Sequence, residues 1–331
     1  MSKKYLVLGA SGQDAAIISN LILKQGDAVY GMSRRSASRS FWRLEELGIK
    51  DKITMLDGDL TDPSSLDRVI KKVHPDFIIS AAAQSHVKVS FDQPSMTAQI
   101  TGLGILNLLE SVRQSEVKDT VRIVQFSSSE MFGGTHNANP DGKLSETTVF
   151  DPKSVYACSK VFAHQVCRLY REAYGIFAAT MIGFNHTSRF REDTFITRKI
   201  TKAVARIKYG LQDKLYVGNI KSGRDWTSAE DICRGILKIA NHIEPDDFVL
   251  GSGVAYTVQE VIEHSFNYVG LDYTKYVEID PQFFRPAEVH NLLADASKAK
   301  QILGWEPKIS FKELIEDMIE ADLERVRKEL K

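Results

Sequence analysis

Cysteine is scarce in this sequence, neither sign of charge is in excess, and no apolar run is long. The three cysteines among 331 residues have neither the pattern of a disulfide framework nor the spacing of a metal site, so we expect reduced thiols and no bound metal. The 43 basic residues balance the 43 acidic ones, which argues against nucleic acid or an anionic membrane as a partner. The N-terminus has no apolar core typical of a signal peptide, and no apolar run reaches the length of a membrane span. A reducing cytoplasm is therefore the expected location.

The order of apolar segments predicts the fold. A hydrophobic content of 43% with 26% charged residues allows a large core. Strand patterns alternate with helical periodicity, with strands predicted at 5–8, 28–30, 53–56, 77–80, 121–126 and 177–182, and helices at 15–25, after Asp62-Pro63, at 100–112 and at 155–173. This βαβα order is typical of an α/β protein with a Rossmann-type, doubly wound parallel sheet.

The second half of the chain has a looser pattern. Polar loops separate helices predicted at 196–208, 229–243, 258–269 and 311–327. We expect residues 1–184 to form mainly a dinucleotide-binding domain and residues 185–331 mainly a smaller C-terminal substrate-binding lobe, with some exchange of chain between them.

A glycine-containing turn lies between the first predicted strand and the first helix. It reads Gly9-Ala10-Ser11-Gly12-Gln13-Asp14. Glycine at both ends of the first four residues lets the backbone approach a pyrophosphate that rests on the helix N-terminus. Ala15 stands where the usual pattern has a third glycine, and it is small enough for close packing of the helix on the strand. The turn predicts a dinucleotide cofactor.

The residues after the second strand indicate which dinucleotide is bound. An acidic residue there would bind the ribose hydroxyls and repel a 2′-phosphate, but this segment contains Arg34 and Arg35 and no acid. Planar guanidinium groups bind phosphate through paired, charge-assisted hydrogen bonds. We therefore expect NADP, with Asp59 and Leu60 after the third strand near its adenine.

Two further motifs contain candidate catalytic groups. Tyr156 and Lys160 are four residues apart in a predicted helix and share one face, where the ammonium would lower the pKa of the phenol towards neutral pH. Ser128 can hydrogen-bond the hydroxyl that Tyr156 deprotonates. Glu130 adds a second proton acceptor, which a dehydratase needs next to a new carbonyl and a simple dehydrogenase does not. The motifs together predict oxidation of a sugar alcohol with a nicotinamide cofactor, followed by elimination of water.

Longer segments match a known family over nearly the whole chain. The most specific are Thr197-Arg198-Lys199-Ile200 and Arg285-Pro286-Ala287-Glu288-Val289; the others lie at 12–14, 34–36, 58–62, 83–87, 184–186, 218–219, 224–226 and 303–305. On these residues the sequence resembles the extended short-chain dehydrogenase/reductase superfamily and, within it, the GDP-mannose 4,6-dehydratase family.

This resemblance implies a set of site residues. The implied catalytic residues are Ser128, in place of the family's usual threonine, Glu130, Tyr156 and Lys160. The implied cofactor-binding residues are Gly9, Ser11, Gly12, Gln13, Asp14, Arg34, Arg35, Asp59, Leu60, Ala82, Tyr156, Lys160 and His186. The implied substrate-binding residues are Ser85, Ser128, Asn185, Lys199, Gly218, Arg224, Arg285 and Glu288. The resemblance also implies a homotetramer, in which Arg35 and its loop close the NADP site across a subunit contact.

The chain departs from the family pattern in two places. After His186 it reads Thr187-Ser188-Arg189-Phe190-Arg191-Glu192 where the family has Glu-Ser-Pro-Arg-Arg-Gly, and Trp226 is followed by Thr227-Ser228 in place of Gly-His. Both departures fall in segments expected to contact the sugar or the cofactor. The implied substrate is GDP-mannose or a close relative such as GDP-manno-heptose.

The implied reaction is an internal redox cycle that yields a 4-keto-6-deoxy sugar. Tyr156 removes the C4 hydroxyl proton as hydride passes to NADP, Glu130 removes the C5 proton as C6 loses water, and the hydride returns to C6. Two alternatives stay open: a GDP-sugar 4-dehydrogenase or 4-keto reductase, and a non-catalytic protein that senses NADP or a nucleotide sugar. The retention of all the implied catalytic residues favours an enzyme.

Overall fold

A parallel β-sheet forms the centre of the computed structural model, which describes residues 2–38, 40–283 and 292–331. The strands of the described residues are β1 Lys4–Leu8, β2 Ala28–Ser33, β3 Thr54–Asp57, β4 Phe77–Ser80, β5 Arg122–Ser128, β6 Phe177–Gly183, β7 His186–Thr187, β8 Leu215–Val217, β9 Gly223–Asp225, β10 Thr227–Ser228, β11 Asp247–Leu250, β12 Ala255–Thr257 and β13 Val277–Ile279. Seven of these form the central sheet in the order β11-β6-β5-β4-β1-β2-β3. The predicted doubly wound α/β fold is confirmed.

The helices cover both faces of this sheet and build a second core beside it. In the described residues they are α1 Gln13–Lys24, α2 Trp42–Glu46, α3 Pro63–Val73, α4 Val89–Asp92, α5 Pro94–Thr97, α6 Gly104–Arg113, α7 Val155–Tyr174, α8 Ile196–Lys208, α9 Ala229–Ala240, α10 Val258–Tyr268, α11 Ser297–Leu303 and α12 Phe311–Glu329. Apolar residues of α1 and α9 pack on one sheet face, and those of α3, α6 and α7 pack on the other. Helices α8, α10 and α12 share a separate core.

Two details differ from the predicted elements. The seventh strand of the sheet, β11, is a four-residue segment that the strand pattern did not single out. It pairs with β6 from Thr180 to Gly183, so the second half of the chain supplies one edge of the sheet. The helix predicted at 100–112 starts earlier, because α5 and a π-helical segment at Ala98–Leu103 lead into α6.

No helix in the described ranges combines the length and the apolar character that a membrane crossing needs.

A buried carboxylate joins the two cores. Asp231 lies in the first turn of α9, and its Oδ2 accepts hydrogen bonds from the backbone N–H groups of Lys308 and Ile309, at 2.9 and 2.8 Å. The carbonyl of the same residue accepts a hydrogen bond from Trp305 Nε1 at 2.8 Å. These contacts fix the segment that leads into α12, which packs on α8.

Replacing Asp231 by alanine should destabilise the protein by roughly 1–3 kcal/mol, because two partly buried backbone N–H donors lose their buried acceptor. Asp231→Asn keeps an acceptor oxygen of the same size and should lose less. The measurement is the free energy of unfolding from urea denaturation. Equal stability of the alanine variant and the unmodified protein would contradict this account.

Candidate active site

A single large cavity opens at the carboxyl ends of the central strands. Its volume is about 1240 Å³, and it is lined by every described residue among the predicted catalytic, cofactor-binding and substrate-binding residues, with one exception. The exception is Arg35, which is exposed and does not line the cavity, although its neighbour Arg34 does. Two predicted substrate residues, Arg285 and Glu288, lie outside the described residues.

The glycine turn forms one wall of this cavity. Gly9 has a φ of +78°, and a Cβ there would lie 3.0 Å from the Cα of Ala82, so a larger residue would be strained and would collide with backbone. The N–H of Gly12 donates to the Gly9 carbonyl at 2.8 Å, and Gly12 is the N-cap of α1. No described side chain caps this helix, so its N-terminal N–H groups suit an anion.

The residues after the turn are held by the segment that follows β6. His186 Nε2 lies 3.0 Å from Asp14 Oδ2, and His186 Nδ1 lies 2.8 Å from the carbonyl of Phe184. Burial alone would raise the pKa of Asp14, but the charge and hydrogen bond of His186, with the charge of Arg191, lower it to about 2. Asp14 is therefore ionised across the neutral range, and the contact is an ion pair when the imidazole is protonated.

The predicted Tyr–Lys pair lies on α7, whose first turn is capped by Ser154. Lys160 Nζ donates to the carbonyl of Phe126 at 2.6 Å, and burial lowers the pKa of Lys160 to about 8. Burial raises the pKa of Tyr156 to about 12, although a hydrogen bond from Ser128 lowers it. Lys160 is not among the groups that shift the pKa of Tyr156 here, so its expected effect on this phenol stays a prediction.

Ser128 and Glu130 are placed by the end of β5. Ser128 is the last residue of the strand and caps the short 3₁₀ turn Ser129–Phe132, where its Oγ accepts a hydrogen bond from the Glu130 N–H at 3.2 Å. Gly133 ends this turn with a φ of +67°, and a Cβ there would lie only 1.7 Å from the Asp151 carbonyl oxygen. The tight turn puts Ser128 and Glu130 on the cavity wall that Tyr156 shares.

The other end of the cavity is lined by two basic side chains, those of Lys199 and Arg224. Lys199, in the first turn of α8, has its Nζ 3.5 Å from the centre of the Phe283 ring, and burial lowers its pKa. Arg224 is buried in β9 and donates to the carbonyl of Gly223 at 2.8 Å. Asn185 and Gly218 line the same end. These groups suit the anionic part of a substrate.

The two departures from the family pattern lie side by side. Thr187 and Ser228 pair in the short parallel contact between β7 and β10, next to the pair His186 and Thr227. The side chain of Thr187 also lies 2.8 Å from that of Thr197, in α8. The two departures are therefore in contact at Thr187 and Ser228, and Thr187 also lines the cavity.

Two arginines of the site were missed by the sequence reasoning. Arg43 in α2 donates to the carbonyls of Ser11 and Phe190, at 2.8 and 2.6 Å. The guanidinium of Arg191 lies 3.6 Å from the centre of the Phe195 ring, and its charge lowers the pKa of both Asp14 and Tyr156. Both residues line the cavity. The sequence could have suggested both, because each is a basic residue within ten positions of a predicted cofactor-binding residue, Arg35 or His186.

Comparison with known proteins gives a consistent assignment. The sequence profile of the family described as GDP-mannose 4,6 dehydratase matches residues 6–318. The protein named GDP-mannose 4,6 dehydratase 2 from Arabidopsis thaliana is 44% identical over 332 residues, which cover 98% of this chain and 88% of the relative. Another relative, GDP-mannose 4,6-dehydratase from Vibrio cholerae, is 38% identical over 355 residues, covering 98% of this chain and 94% of its own length.

Solved structures share the fold at lower identity. The dTDP-glucose 4,6-dehydratase from Bacillus anthracis, in complex with NAD, superposes with a TM-score of 0.84 at 20% identity and covers the whole of both chains. The matches extend over nearly the full length of the sequence and agree with the predicted fold. The chain belongs to the GDP-mannose 4,6-dehydratase family.

Proposed function

We propose that this protein is a nucleotide-sugar 4,6-dehydratase that converts GDP-mannose to its 4-keto-6-deoxy product with a nicotinamide cofactor, NADP. The observation that carries the proposal is that Glu130, a second proton acceptor, lines the same cavity as Tyr156 and Ser128 in a member of this family. A 4-dehydrogenase or 4-keto reductase would have no use for that carboxylate.

The glycine turn fits a dinucleotide. Gly9 leaves space against the backbone of Ala82, and the uncapped N-terminus of α1 supplies N–H groups for a pyrophosphate. Arg34, Arg43 and Arg191 add positive charge along the same cavity. When bound, an oxidised nicotinamide would accept hydride from C4 and return it to C6, and its positive charge would favour the phenolate of a neighbouring tyrosine.

The protein's own residues move the protons. We assign removal of the C4 hydroxyl proton to Tyr156, with Ser128 orienting that hydroxyl. Lys160 is mainly an ammonium at neutral pH, since its pKa is about 8, and its bond to the Phe126 carbonyl fixes it beside the helix face of Tyr156. Once C4 is a ketone the C5 hydrogen is acidic, and we assign its removal, with expulsion of the C6 hydroxyl as water, to Glu130.

The remaining residues are assigned to binding and to the organisation of the chain. Lys199 and Arg224, with Arg285 outside the described residues, would bind the diphosphate of GDP-mannose by charge. We assign the cofactor mainly to residues 1–184 and the sugar nucleotide mainly to residues 185–331. A cytoplasmic location is also proposed, and the buried free thiols of Cys167 and Cys233 support it.

The function is tested by incubating the protein with NADP⁺ and GDP-mannose without added reductant, and following the loss of one water by mass spectrometry. Glu130→Gln should lower dehydration by at least about 10²-fold, the low end for general acid–base catalysis, while leaving C4 oxidation possible. Tyr156→Phe should suppress both steps, because no ketone forms to acidify C5. Formation of NADPH from the added NADP⁺, followed by its absorbance, separates the two variants, because only Glu130→Gln can still oxidise C4. If Glu130→Gln dehydrates GDP-mannose at the unmodified rate, Glu130 is not the C5 base, and a dehydrogenase or reductase becomes the favoured function.

Cofactor preference is a separate prediction. NADP⁺ should bind more tightly than NAD⁺, and Arg34→Ala should weaken NADP⁺ binding by about 1–3 kcal/mol while changing NAD⁺ binding little, because only NADP⁺ has a 2′-phosphate. Calorimetric titration measures both affinities.

Arg35→Ala is the matched control, since Arg35 does not line the cavity of its own chain. A loss with Arg35→Ala that disappears on dilution would assign Arg35 to the site of a neighbouring subunit. Equal affinity of the unmodified protein for both cofactors would refute the preference for NADP.

We also propose a homotetramer. Leu103, Phe162 and Leu169, in the π-helical segment and α7, are 47%, 41% and 56% exposed, and such large apolar side chains on one region suit a subunit contact. We propose the segment from Arg34 to Arg43 as a second subunit contact, because its sequence places Phe41 and Trp42 among basic residues. Analytical ultracentrifugation should give the mass of four chains, and Phe162→Glu with Leu169→Glu should reduce it, whereas Lys118→Glu, on a connecting turn, should not. A monomeric mass for the cofactor-bound protein would contradict the proposal.

A further inference from the structure

Helix α7 contacts the end of β5 through side chains spaced four residues apart. His164 follows Lys160 by one helical turn, and its Nδ1 lies 3.1 Å from the Oγ of Ser127. Side chains at this spacing share one helix face. They meet three consecutive strand residues: Tyr156 bonds Ser128, Lys160 bonds the Phe126 carbonyl, and His164 contacts Ser127. Two of these helix residues have a role in the proposed reaction, and His164 has none.

The imidazole of His164 is fixed on several sides. The residue is only 2% exposed, and the ring of Phe150 meets it edge-on at 5.2 Å. The same Nδ1 also lies 3.1 Å from Thr180 Oγ1, and Thr180 donates to Asp247 Oδ1 at 2.8 Å. Asp247 in turn accepts hydrogen bonds from Arg171 on both of its oxygens, each at 3.1 Å. The ring is therefore anchored to β6 and β11 on the side away from the cavity.

The ring is neutral, and this suits a contact with hydroxyl groups. Burial lowers the pKa of His164 to about 4, against the opposing charge of Asp247 and with the help of Arg168 and Arg171. Thr180 already donates its hydroxyl proton to Asp247, so towards the ring it can only accept. The hydroxyl of Ser127 can either donate a hydrogen bond to Nδ1 or accept one from it, so it can pair with either tautomer of the ring. Ser127 also lines the cavity, so this contact connects the anchored ring to the active site.

We propose that His164 is a positioning residue: by holding the Ser127 hydroxyl, it fixes the end of β5 against α7 and so sets the position of Ser128 relative to Tyr156. This role rests on the proposed function, which assigns the C4 hydroxyl proton to Tyr156 and Ser128. Small displacements of an aligned pair are costly in rate, because reactive geometry is lost while substrate contacts elsewhere are kept. The role therefore predicts a loss in kcat with little change in KM.

The test compares variants at both ends of the contact in the holoenzyme, assayed as GDP-mannose dehydration. His164→Phe keeps the volume of the ring but removes its nitrogens, and should lower kcat about tenfold with KM changed less than about twofold. Ser127→Ala should have a similar effect, and the double variant should be no slower than the slower single one, because both remove the same contact. His164→Asn, whose amide can occupy the Nδ1 position, should recover most of kcat.

Thr180→Val is the matched control, since it breaks the contact on the opposite side of the same ring nitrogen. It should lower the melting temperature and reduce kcat by less than His164→Phe does, because the Phe150 ring and the Ser127 contact still hold the imidazole. A readout independent of turnover is the ¹⁵N resonance of the His164 ring in the cofactor-free protein with labelled histidine, which Ser127→Ala should shift. An unshifted resonance, additive losses in the double variant, or an equal loss of kcat in Thr180→Val would overturn the positioning role. A wild-type protein without turnover would instead overturn the proposed function, on which this role rests.

Discussion

The contact between Asp14 and His186 determines how the two halves of the active site meet. Asp14 follows the glycine turn directly, and His186 follows the sixth strand, so a contact of 3.0 Å connects the glycine turn to the segment that leads to α8. Ser188 makes a parallel contact, donating to Gln13 Oε1 at 2.9 Å. Because the pKa of Asp14 is about 2, this carboxylate keeps its charge under all conditions in which the protein is folded near neutral pH. The turn and the second half of the chain are thereby held in one relative position.

The features that could be predicted from sequence are those with a short repeat or a fixed spacing. The alternation of strands and helices in the first half identified the sheet, and the spacing of Tyr156 and Lys160 identified a shared helix face. The spacing could not predict which groups surround that face in the folded protein. The Phe126 carbonyl, which accepts the Lys160 ammonium, and the burial that raises the pKa of Tyr156 both result from tertiary packing.

Two arginines of the site were missed for the same reason, because tertiary packing brings them there. Arg43 and Arg191 lie outside the motifs, and only the folded chain brings them to the glycine turn and to Tyr156. Thr187 and Ser228, where the chain departs from the family pattern, show a second relation that the sequence could not predict. They are about forty positions apart in the sequence and could not be related by pattern, yet they are neighbours in the short β7–β10 pair. A change at one of these positions therefore directly meets the other, which is a relation that only the folded chain shows.

The edge strand β11 has a consequence for how the chain is made. Until Asp247–Leu250 leave the ribosome, β6 presents an unpaired row of backbone donors and acceptors, and the carboxylate that anchors His164 through Thr180 is absent. The first half of the nascent chain can thus adopt its strand and helix order early, but its sheet is completed only after Leu250 has been synthesised. A chain that ends before this strand would leave the edge of β6 open, and an open edge of this kind can pair with other chains and aggregate.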